Sequence, residues 1–379
     1  MDFQLTEEQK AVRDAISKFA AEKVAPGALD RDRTGEFPWE VLRGLAEQGY
    51  LGMTLPPEYG GAGADWVSYA ICVEEISRAC ASCGVIYEVH NSLHADAIYH
   101  HGTEEQRRRF LPDLISGKKL GAFALTEPGA GSDAGGLKST AELKGDRYIL
   151  NGRKCFITSG GKADEYIVFA LTDKSKGTKG ISAFVVDKSF PGISFGEPED
   201  KLGIRASCTA DVILEDCPVP VENRLGNEGD GLKIALSTLD GGRVGIACQA
   251  VGIAQAAFDA ALAYSKERQQ FGRPISEFQA IQWMLADMAT DIEAARLLAY
   301  RAAYLRGTGQ RASKEIAMAK LFASRAAVKH TANAIQIHGG YGYMRDYKVE
   351  RLFRDAKITE IYEGTSEVMR MVIAGALLK

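Results

Sequence analysis

The spacing of apolar residues changes twice along the chain, and this change constrains the fold more than any other feature. Residues 1–120 and 230–379 carry apolar side chains at helical intervals, whereas residues 121–229 hold short apolar runs separated by Gly, Lys and Pro. Short runs of that kind are typical of strands. The pattern predicts a mainly α protein of three domains, with a β insert between two parts of one helical body.

Local signals add detail to this division. Thr6 and Thr103 each precede a Glu-Glu-Gln triplet and predict helix starts with a capping box. The Asn151-Gly152 pair lies between two apolar runs and predicts a tight hairpin turn. Short strands at this spacing predict a small antiparallel barrel or sandwich. Residues 281–298 place apolar side chains on one face of a long helix.

Composition limits the compartment and the partners. A net charge of −4 over 379 residues, with both signs interspersed, gives no basic nucleic-acid footprint. The seven cysteines are odd in number and scattered, and the Cys80-x-x-Cys83 pair lacks further ligands, so neither a disulfide framework nor a metal site is expected. The start of the chain lacks a signal or transit pattern, and its apolar stretches look shorter than a bilayer span. We therefore expect a cytoplasmic protein without a membrane span.

Glu363 is the first candidate for chemistry. It lies between Tyr362 and Gly364, in a neighbourhood that would exclude water and raise the pKa of its carboxyl toward that of a useful base. The same run also fits a helix start, with Thr365 or Ser366 as the N-cap and an acid in the first turn. The residues alone leave both interpretations open.

Other segments could bind a ligand. Residues 127–133 are Gly-rich and follow a strand, so their N–H groups could hold a phosphate or carbonyl, although they match neither dinucleotide nor nucleoside-triphosphate loops and could form a plain turn. Phe156 and Thr158 could stack on and hydrogen-bond a flat ring, or be ordinary strand residues. Residues 240–243 place two glycines in a helical pattern, and their Asp and Arg could bind a polar group or pair with each other. Arg and Gln in the bend at residues 268–273, together with the Gly-rich bend at 336–342, suit a pyrophosphate and an adenine, or are loop chemistry only.

Five collinear blocks, at residues 124–133, 201–205, 270–272, 337–342 and 362–365, resemble the acyl-CoA dehydrogenase family, closest to its short-chain, butyryl-CoA-type members. The resemblance implies an N-terminal helical domain, a central antiparallel β-barrel-like domain and a C-terminal four-helix bundle. It also implies FAD, a homotetramer built as a dimer of dimers, and electron-transfer flavoprotein as the electron partner.

The resemblance assigns roles residue by residue. Glu363 would be the catalytic base that takes the α-proton of a short-chain acyl-CoA while the β-hydrogen leaves as hydride to flavin N5. FAD contacts within the subunit would be Phe123, Leu125, Thr126, Gly131, Ser132, Phe156, Ile157, Thr158, Thr365, Ser366 and Glu367. FAD contacts from the neighbouring subunit would be Arg268, Phe271, Gln279, Gln336, Ile337, Gly339 and Gly340. Substrate contacts would be Ser132, Asp240, Gly241, Gly242, Arg243, Tyr362, Gly364 and Glu88.

Departures from the family pattern bear on specificity. Gly242 stands where isovaleryl-type relatives carry their glutamate, and Gly84 where glutaryl-type relatives carry an arginine, so branched and dicarboxylic substrates are disfavoured. Phe156 stands where many relatives have Trp. Glu88 replaces a small residue; it is either a solvated or paired carboxylate, or it reads a polar or cationic group on an unusual acyl chain.

Alternative functions stay open at this stage. The reaction could run in reverse as an enoyl-CoA reductase. The same scaffold could instead serve an acyl-CoA oxidase, a flavin monooxygenase or a non-catalytic assembly module.

Overall fold

The computed structural model describes residues 4–378; residues 1–3 and 379, at the outer ends of the predicted domains, lie outside the described residues. The N-terminal part is helical. Its helices are α1 Glu7–Phe19, α2 Ala28–Thr34, α3 Trp39–Glu47, α4 Trp66–Ala79, α5 Ala81–Glu88, α6 Asp96–His101 and α7 Glu104–Ile115. A π-helical segment, Val89–Ala95, joins α5 to α6.

Both predicted capping boxes are present. The side chains of Thr6 and Thr103 accept hydrogen bonds from the backbone N–H groups of Gln9 and Gln106. The side chains of these glutamines in turn accept from the backbone N–H groups of the two threonines. Helix α4 is buried on nearly every face, and the extended backbone of Cys80 separates it from α5. It is therefore a core helix of the molecule.

The central part is a sheet. Its strands are β1 Gly121–Ala124, β2 Thr140–Lys144, β3 Arg147–Thr158, β4 Glu165–Leu171, β5 Ile181–Asp187, β6 Ile193–Phe195, β7 Thr209–Pro220 and β8 Arg224–Leu225. They pair in the order β6-β7-β3-β2-β4-β5-β8, with β1 on β4; all pairs are antiparallel except β1 with β4 and β2 with β4. Among the described residues no pairing joins β6 to β8, so the sheet is open and the barrel-like form is not confirmed.

The hairpin prediction at Asn151-Gly152 is wrong. Both residues lie inside β3, where the pairing with β7 shifts register between Leu150 and Gly152. The Asn151 side chain bonds Asp216 across that irregularity, accepting from its N–H at 2.8 Å. The tight turn lies earlier in the chain. Gly145, at φ 63°, lies between Lys144 of β2 and Arg147 of β3, which pair with each other. An Asn-Gly pair suits a bulge as well as a turn, because both need unusual backbone angles.

The C-terminal part returns to helices. They are α8 Gly231–Glu267, α9 Gln279–Gly307, α10 Ser313–His338, α11 Lys348–Ile358 and α12 Ser366–Leu377, with the short pair β9 Gln269–Gln270 and β10 Arg273–Pro274 between α8 and α9. The three long helices pack on one another, α11 and α12 pack on α10, and α4 packs on α8 and α9. The helical parts before and after the sheet thus share one core, while the description as a four-helix bundle stays a prediction.

Helix α8 is long and apolar enough, by length and composition, to cross a bilayer, which the sequence inspection missed. However, 67% of its most apolar window is buried inside the protein. Its apolar residues are therefore accounted for by packing in the core of the helical body.

Candidate active site

A cavity of about 740 Å³ lies between the sheet and the C-terminal helices. Its walls come from β1, β3, the loops after them, α8, α11 and the loop before α12. The lining includes Phe123, Leu125, Thr126, Gly131, Ser132, Phe156, Ile157, Thr158, Arg243, Tyr362, Glu363, Gly364 and Thr365, all predicted as site residues. Segments far apart in sequence therefore meet at one site.

A buried ion pair fixes the Gly-rich loop at residues 127–132. Lys154 Nζ donates to Glu127 Oε1 at 2.7 Å, and both side chains are buried. The same carboxylate accepts from the N–H groups of Lys138 at 2.6 Å and Ser139 at 3.0 Å. Burial opposes ionisation, but the Lys154 ammonium and these donors hold the pKa of Glu127 below its usual value. The loop is thus held rigidly where it faces the cavity.

Phe156 is presented to the cavity by a bulge in β3. The pairing with β7 is interrupted between Lys154 and Ile157, and Phe156 has a φ of 58°. Its side chain is 65% exposed although it lines the cavity. Cys155 N donates to Thr126 O at 2.9 Å, which ties the bulge to the end of β1. An aromatic face in this strained setting is available for stacking.

The segment carrying Glu363 is held from two helices. Glu363 and Gly364 have φ values of 54° and 104°. Arg243 Nε from α8 donates to the Glu363 carbonyl oxygen at 3.0 Å, and Lys320 Nζ from α10 donates to the Gly364 carbonyl oxygen. Thr365 caps α12. The helix start is confirmed, and the run also places Glu363 at the cavity, where its role as a base stays a prediction.

Glu363 has the electrostatics of a base. The residue as a whole is partly exposed, but its Oε2 atom is buried and has no hydrogen-bond partner within residues 4–378. Burial raises the pKa of Glu363 to about 7, against the lowering effects of the neighbouring Glu88 carboxyl and of the charges of Lys320 and Arg243. A carboxyl that titrates near neutrality can accept a proton from a weak acid.

Residues 240–243 support this segment, and their contact with a substrate stays a prediction. Arg243 pairs with Asp240 at 2.9 Å, and Ser313 Oγ donates to Asp240 at 2.6 Å. A Cβ at Gly242 would overlap Glu363 Oε2, so that glycine leaves the room that the carboxyl occupies. Of the residues 240–243, only Arg243 lines the described cavity.

A second predicted group lies apart from the cavity. Arg268, Phe271, Gln279, Gln336, Gly339 and Gly340 are exposed, while Ile337 is buried. Arg268 stacks over the Tyr341 ring at 5.5 Å from its centroid, so the two bends meet on one surface. Phe271 is 93% exposed at a φ of 51°. In this single chain these residues form a surface patch, and Ser366 and Glu367 also lie off the cavity lining.

Sequence inspection missed the apolar wall of the cavity. Val85, Val89 and Leu93, from α5 and the π-helical segment, line it together with Leu239 of α8. Residues 199–204 form another wall, where Ile204 N donates to Asp355 Oδ1 at 2.6 Å. The block at 201–205 contributes to the family resemblance, but the sequence predicts no site role for it. The apolar wall gave no signal, because buried aliphatic residues occur in every helical core.

Glu88 is fully buried, so it is not a solvated carboxylate. It accepts a hydrogen bond from Ser92 Oγ, and it interacts electrostatically with the nearby Glu363 carboxyl. It is not among the described residues that line the cavity. Glu88 is thus a neighbour of the candidate base.

A carboxyl with a raised pKa and an exposed aromatic ring thus line the same cavity, an arrangement that can bind a flat cofactor and accept a proton. Three family models match the chain: the N-terminal, middle and C-terminal domains of acyl-CoA dehydrogenase, over residues 6–118, 122–217 and 229–378. The chain belongs to the acyl-CoA dehydrogenase family, and it is an oxidoreductase.

Individual relatives match over the full length. The short-chain specific acyl-CoA dehydrogenase of Clostridium acetobutylicum is 53% identical and covers 100% of both chains. The caffeyl-CoA reductase–Etf complex subunit CarC of Acetobacterium woodii is 49% identical over 99% of both. The structure of butyryl-CoA dehydrogenase from Megasphaera elsdenii is 48% identical, with a TM-score of 0.98 and 100% coverage of both chains.

Members of this family are FAD-dependent, and the residues present fit that group. The exposed Phe156 ring offers a stacking surface, and Thr126, Ser132 and Thr158 bring hydroxyl groups to the same cavity. A Cβ at Gly131 would meet open space, so the loop backbone is free to approach a bulky ligand.

Proposed function

We propose that the protein catalyses the α,β-dehydrogenation of short-chain acyl-CoA thioesters to trans-2-enoyl-CoA. The observation that carries this proposal is Glu363, a residue that lines the cavity, has a buried Oε2 atom and has a pKa near neutrality. FAD, when bound, accepts the β-hydrogen as a hydride.

The chain's own residues supply the remaining chemistry. Glu363 removes the proton from the carbon next to the thioester carbonyl, and its backbone N–H donates to that carbonyl oxygen as negative charge develops there. Arg243 and Lys320 fix the backbone on either side of the base. The acyl chain excludes water from the apolar wall, which strengthens these interactions.

A short, unbranched acyl group fits the proposal best. The Clostridium relative is named for short-chain substrates and the Megasphaera relative for butyryl-CoA. A Cβ at Gly84 would overlap Ser77 Oγ, so this position has no room for a long cationic side chain that would pair with a dicarboxylic substrate. Glu363 already occupies the space beside Gly242, which disfavours an isovaleryl-type arrangement.

The partners and the assembly are part of the same proposal. Electron-transfer flavoprotein is the proposed electron acceptor, supported by the Etf complex in the name of the Acetobacterium relative. That name, a reductase, also supports the reverse reaction on enoyl-CoA as a second function of the same site. We propose a homotetramer in the cytoplasm, in which the patch of Arg268, Phe271 and residues 336–340 completes the FAD site of a neighbour. The domain limits of 1–120, 121–229 and 230–379 are supported by the changes in apolar spacing.

The test is the variant Glu363→Gln. We expect it to retain FAD and bind acyl-CoA, but to lose about 10²-fold or more in anaerobic flavin bleaching by butyryl-CoA, because an amide cannot accept the proton. Glu8→Gln, at an exposed glutamate on α1 away from the cavity lining, is the control and should bleach at the wild-type rate. Near-normal bleaching of Glu363→Gln would contradict the proposal. Fast flavin reoxidation in air would instead indicate an oxidase or monooxygenase, and a colourless protein that FAD cannot reconstitute would indicate an assembly module.

A further inference from the structure

Two buried carboxyl groups lie side by side behind the cavity. Glu88 Oε1 accepts a hydrogen bond from Ser92 Oγ, but Glu88 Oε2 is buried without a donor from any backbone or hydroxyl group in the described part of the chain. Glu363 Oε2 is likewise buried without a hydrogen-bond partner among the described residues. Each of these oxygens needs a hydrogen-bond partner, because an unsatisfied buried polar atom is costly.

Two glycines of α8 make room for this pair. A Cβ at Gly242 would overlap the Glu363 carboxyl, and a Cβ at Gly245 would overlap Glu88 Cγ. The two glycines are three residues apart, so they lie on the same face of the helix. Both carboxyl groups therefore rest on one face of α8 as neighbours, which agrees with their electrostatic interaction.

Two contacting carboxyl groups in a buried site cannot both be ionised, so they share a proton. The surroundings decide which one holds it. Lys320 and Arg243 place positive charge near Glu363, whereas Glu88 has the uncharged Ser92, Tyr69 and Tyr362 as polar neighbours. The negative charge is stabilised on Glu363 and the proton on Glu88.

We propose that Glu88, in its protonated form, is a positioning residue that donates a hydrogen bond to the Glu363 carboxylate and keeps that base ionised and aimed into the cavity. This inference rests on the proposed role of Glu363. Of the two alternatives for Glu88, the inference favours a paired carboxyl over recognition of a polar acyl group, because Glu88 lies outside the cavity lining. Burial and the charge of Glu363 raise the pKa of Glu88 well above its usual value, which agrees with this assignment.

Two variants test the hydrogen bond by kinetics. Glu88→Gln keeps an N–H donor and a similar shape, whereas Glu88→Leu removes the donor. The anaerobic rate of flavin bleaching by butyryl-CoA is measured against pH. In Glu88→Leu the acid limb of this pH–rate profile should move to higher pH by on the order of one unit, because the ionised Glu363 loses a hydrogen-bond donor. In Glu88→Gln it should stay near the wild-type position.

The control is Glu74→Gln, which removes another buried carboxyl, on α4, that pairs with Arg296 at 2.9 Å away from the cavity lining. Its acid limb should match the wild type. A shift of the Glu88→Leu limb to lower pH would show that Glu88 is ionised and repels the base, and an unmoved limb would show that the two groups do not interact. Either result overturns the inference.

Infrared spectroscopy tests the proton directly and needs no turnover. Wild-type and Glu363→Gln proteins at neutral pH should show the carbonyl stretch of a protonated carboxyl group that Glu88→Gln lacks. If the wild type and Glu88→Gln give the same bands in this region, Glu88 is not protonated and the inference fails. Failure of the wild type to be bleached by any short acyl-CoA would overturn the proposed function instead, whatever the infrared result.

Discussion

Replacing Lys154 by Met should destabilise the protein far more than replacing an exposed lysine of the same sheet. Lys154 is fully buried, Glu127 is 7% exposed, and the Met side chain leaves the Glu127 carboxylate without its cation. Breaking a buried pair in this way costs about 3–5 kcal/mol of unfolding free energy. Lys144→Met is the matched control, because Lys144 and Glu142 form a solvent-exposed pair on β2 at 3.2 Å, worth at most about 1 kcal/mol.

The pH dependence of this deficit has a definite sign. The folded-state pKa of Glu127 is lowered, so its contribution to stability is present above the ordinary carboxyl pKa of about 4 and is lost as the pH falls through the folded value. Without Lys154 the buried Glu127 carboxylate is uncompensated at neutral pH and is relieved by protonation. The deficit of Lys154→Met relative to wild type should therefore shrink as the pH is lowered.

Urea unfolding of the FAD-loaded protein at neutral and acid pH measures these differences. The double variant Lys154→Met/Glu127→Gln should be more stable than Lys154→Met alone at neutral pH, because it leaves no unpaired buried charge. Equal stabilities of Lys154→Met and Lys144→Met would refute the reasoning, as would a deficit that grows on acidification.

Two further predictions concern the base. Lys320→Met should raise the pKa of Glu363 and move the acid limb of flavin bleaching to higher pH by on the order of one unit, because a cation near the carboxylate is lost; Lys329→Met, exposed on the same helix, should leave it in place, and equal profiles would contradict the assigned role of Lys320. Gly242→Ala should displace the Glu363 carboxyl and reduce the bleaching rate by about 10²-fold with FAD retained. Its control is Gly375→Ala, where a Cβ meets open space, and a wild-type rate in Gly242→Ala would show that the carboxyl does not rest there.

The order of helical, sheet and helical parts followed from apolar spacing, because helices and strands bury side chains with different periods. The prediction of a turn at Asn151-Gly152 was wrong because residue identity does not distinguish a bulge from a hairpin. The actual turn, at Gly145, has weaker flanking signals in the sequence. Local sequence thus predicts the class of an element better than its partner strand.

The candidate base was visible because an isolated acid, an aromatic ring and a glycine are adjacent in sequence. The arrangement of the groups around it was not visible: Glu88 was singled out as a solvated, paired or substrate-contacting carboxylate, and Gly245 and Lys320 gave no signal. Glu88, Gly245 and Lys320 lie on α5, α8 and α10, and only packing of these helices brings them to Glu363. The pairing of Glu88 with another acid runs against the expectation that like charges are kept apart, so no spacing rule would have predicted it.

Helix α4 has a consequence for the order of synthesis. It is apolar and buried on nearly all sides, yet α8, against which it packs, begins about 150 residues later in the chain. At ordinary translation speeds the ribosome releases α4 on the order of ten seconds before α8 exists to cover it. The nascent chain must keep the face of α4 that later meets α8 and α9 from associating with other molecules during that interval, and an isolated N-terminal fragment would keep the same surface exposed.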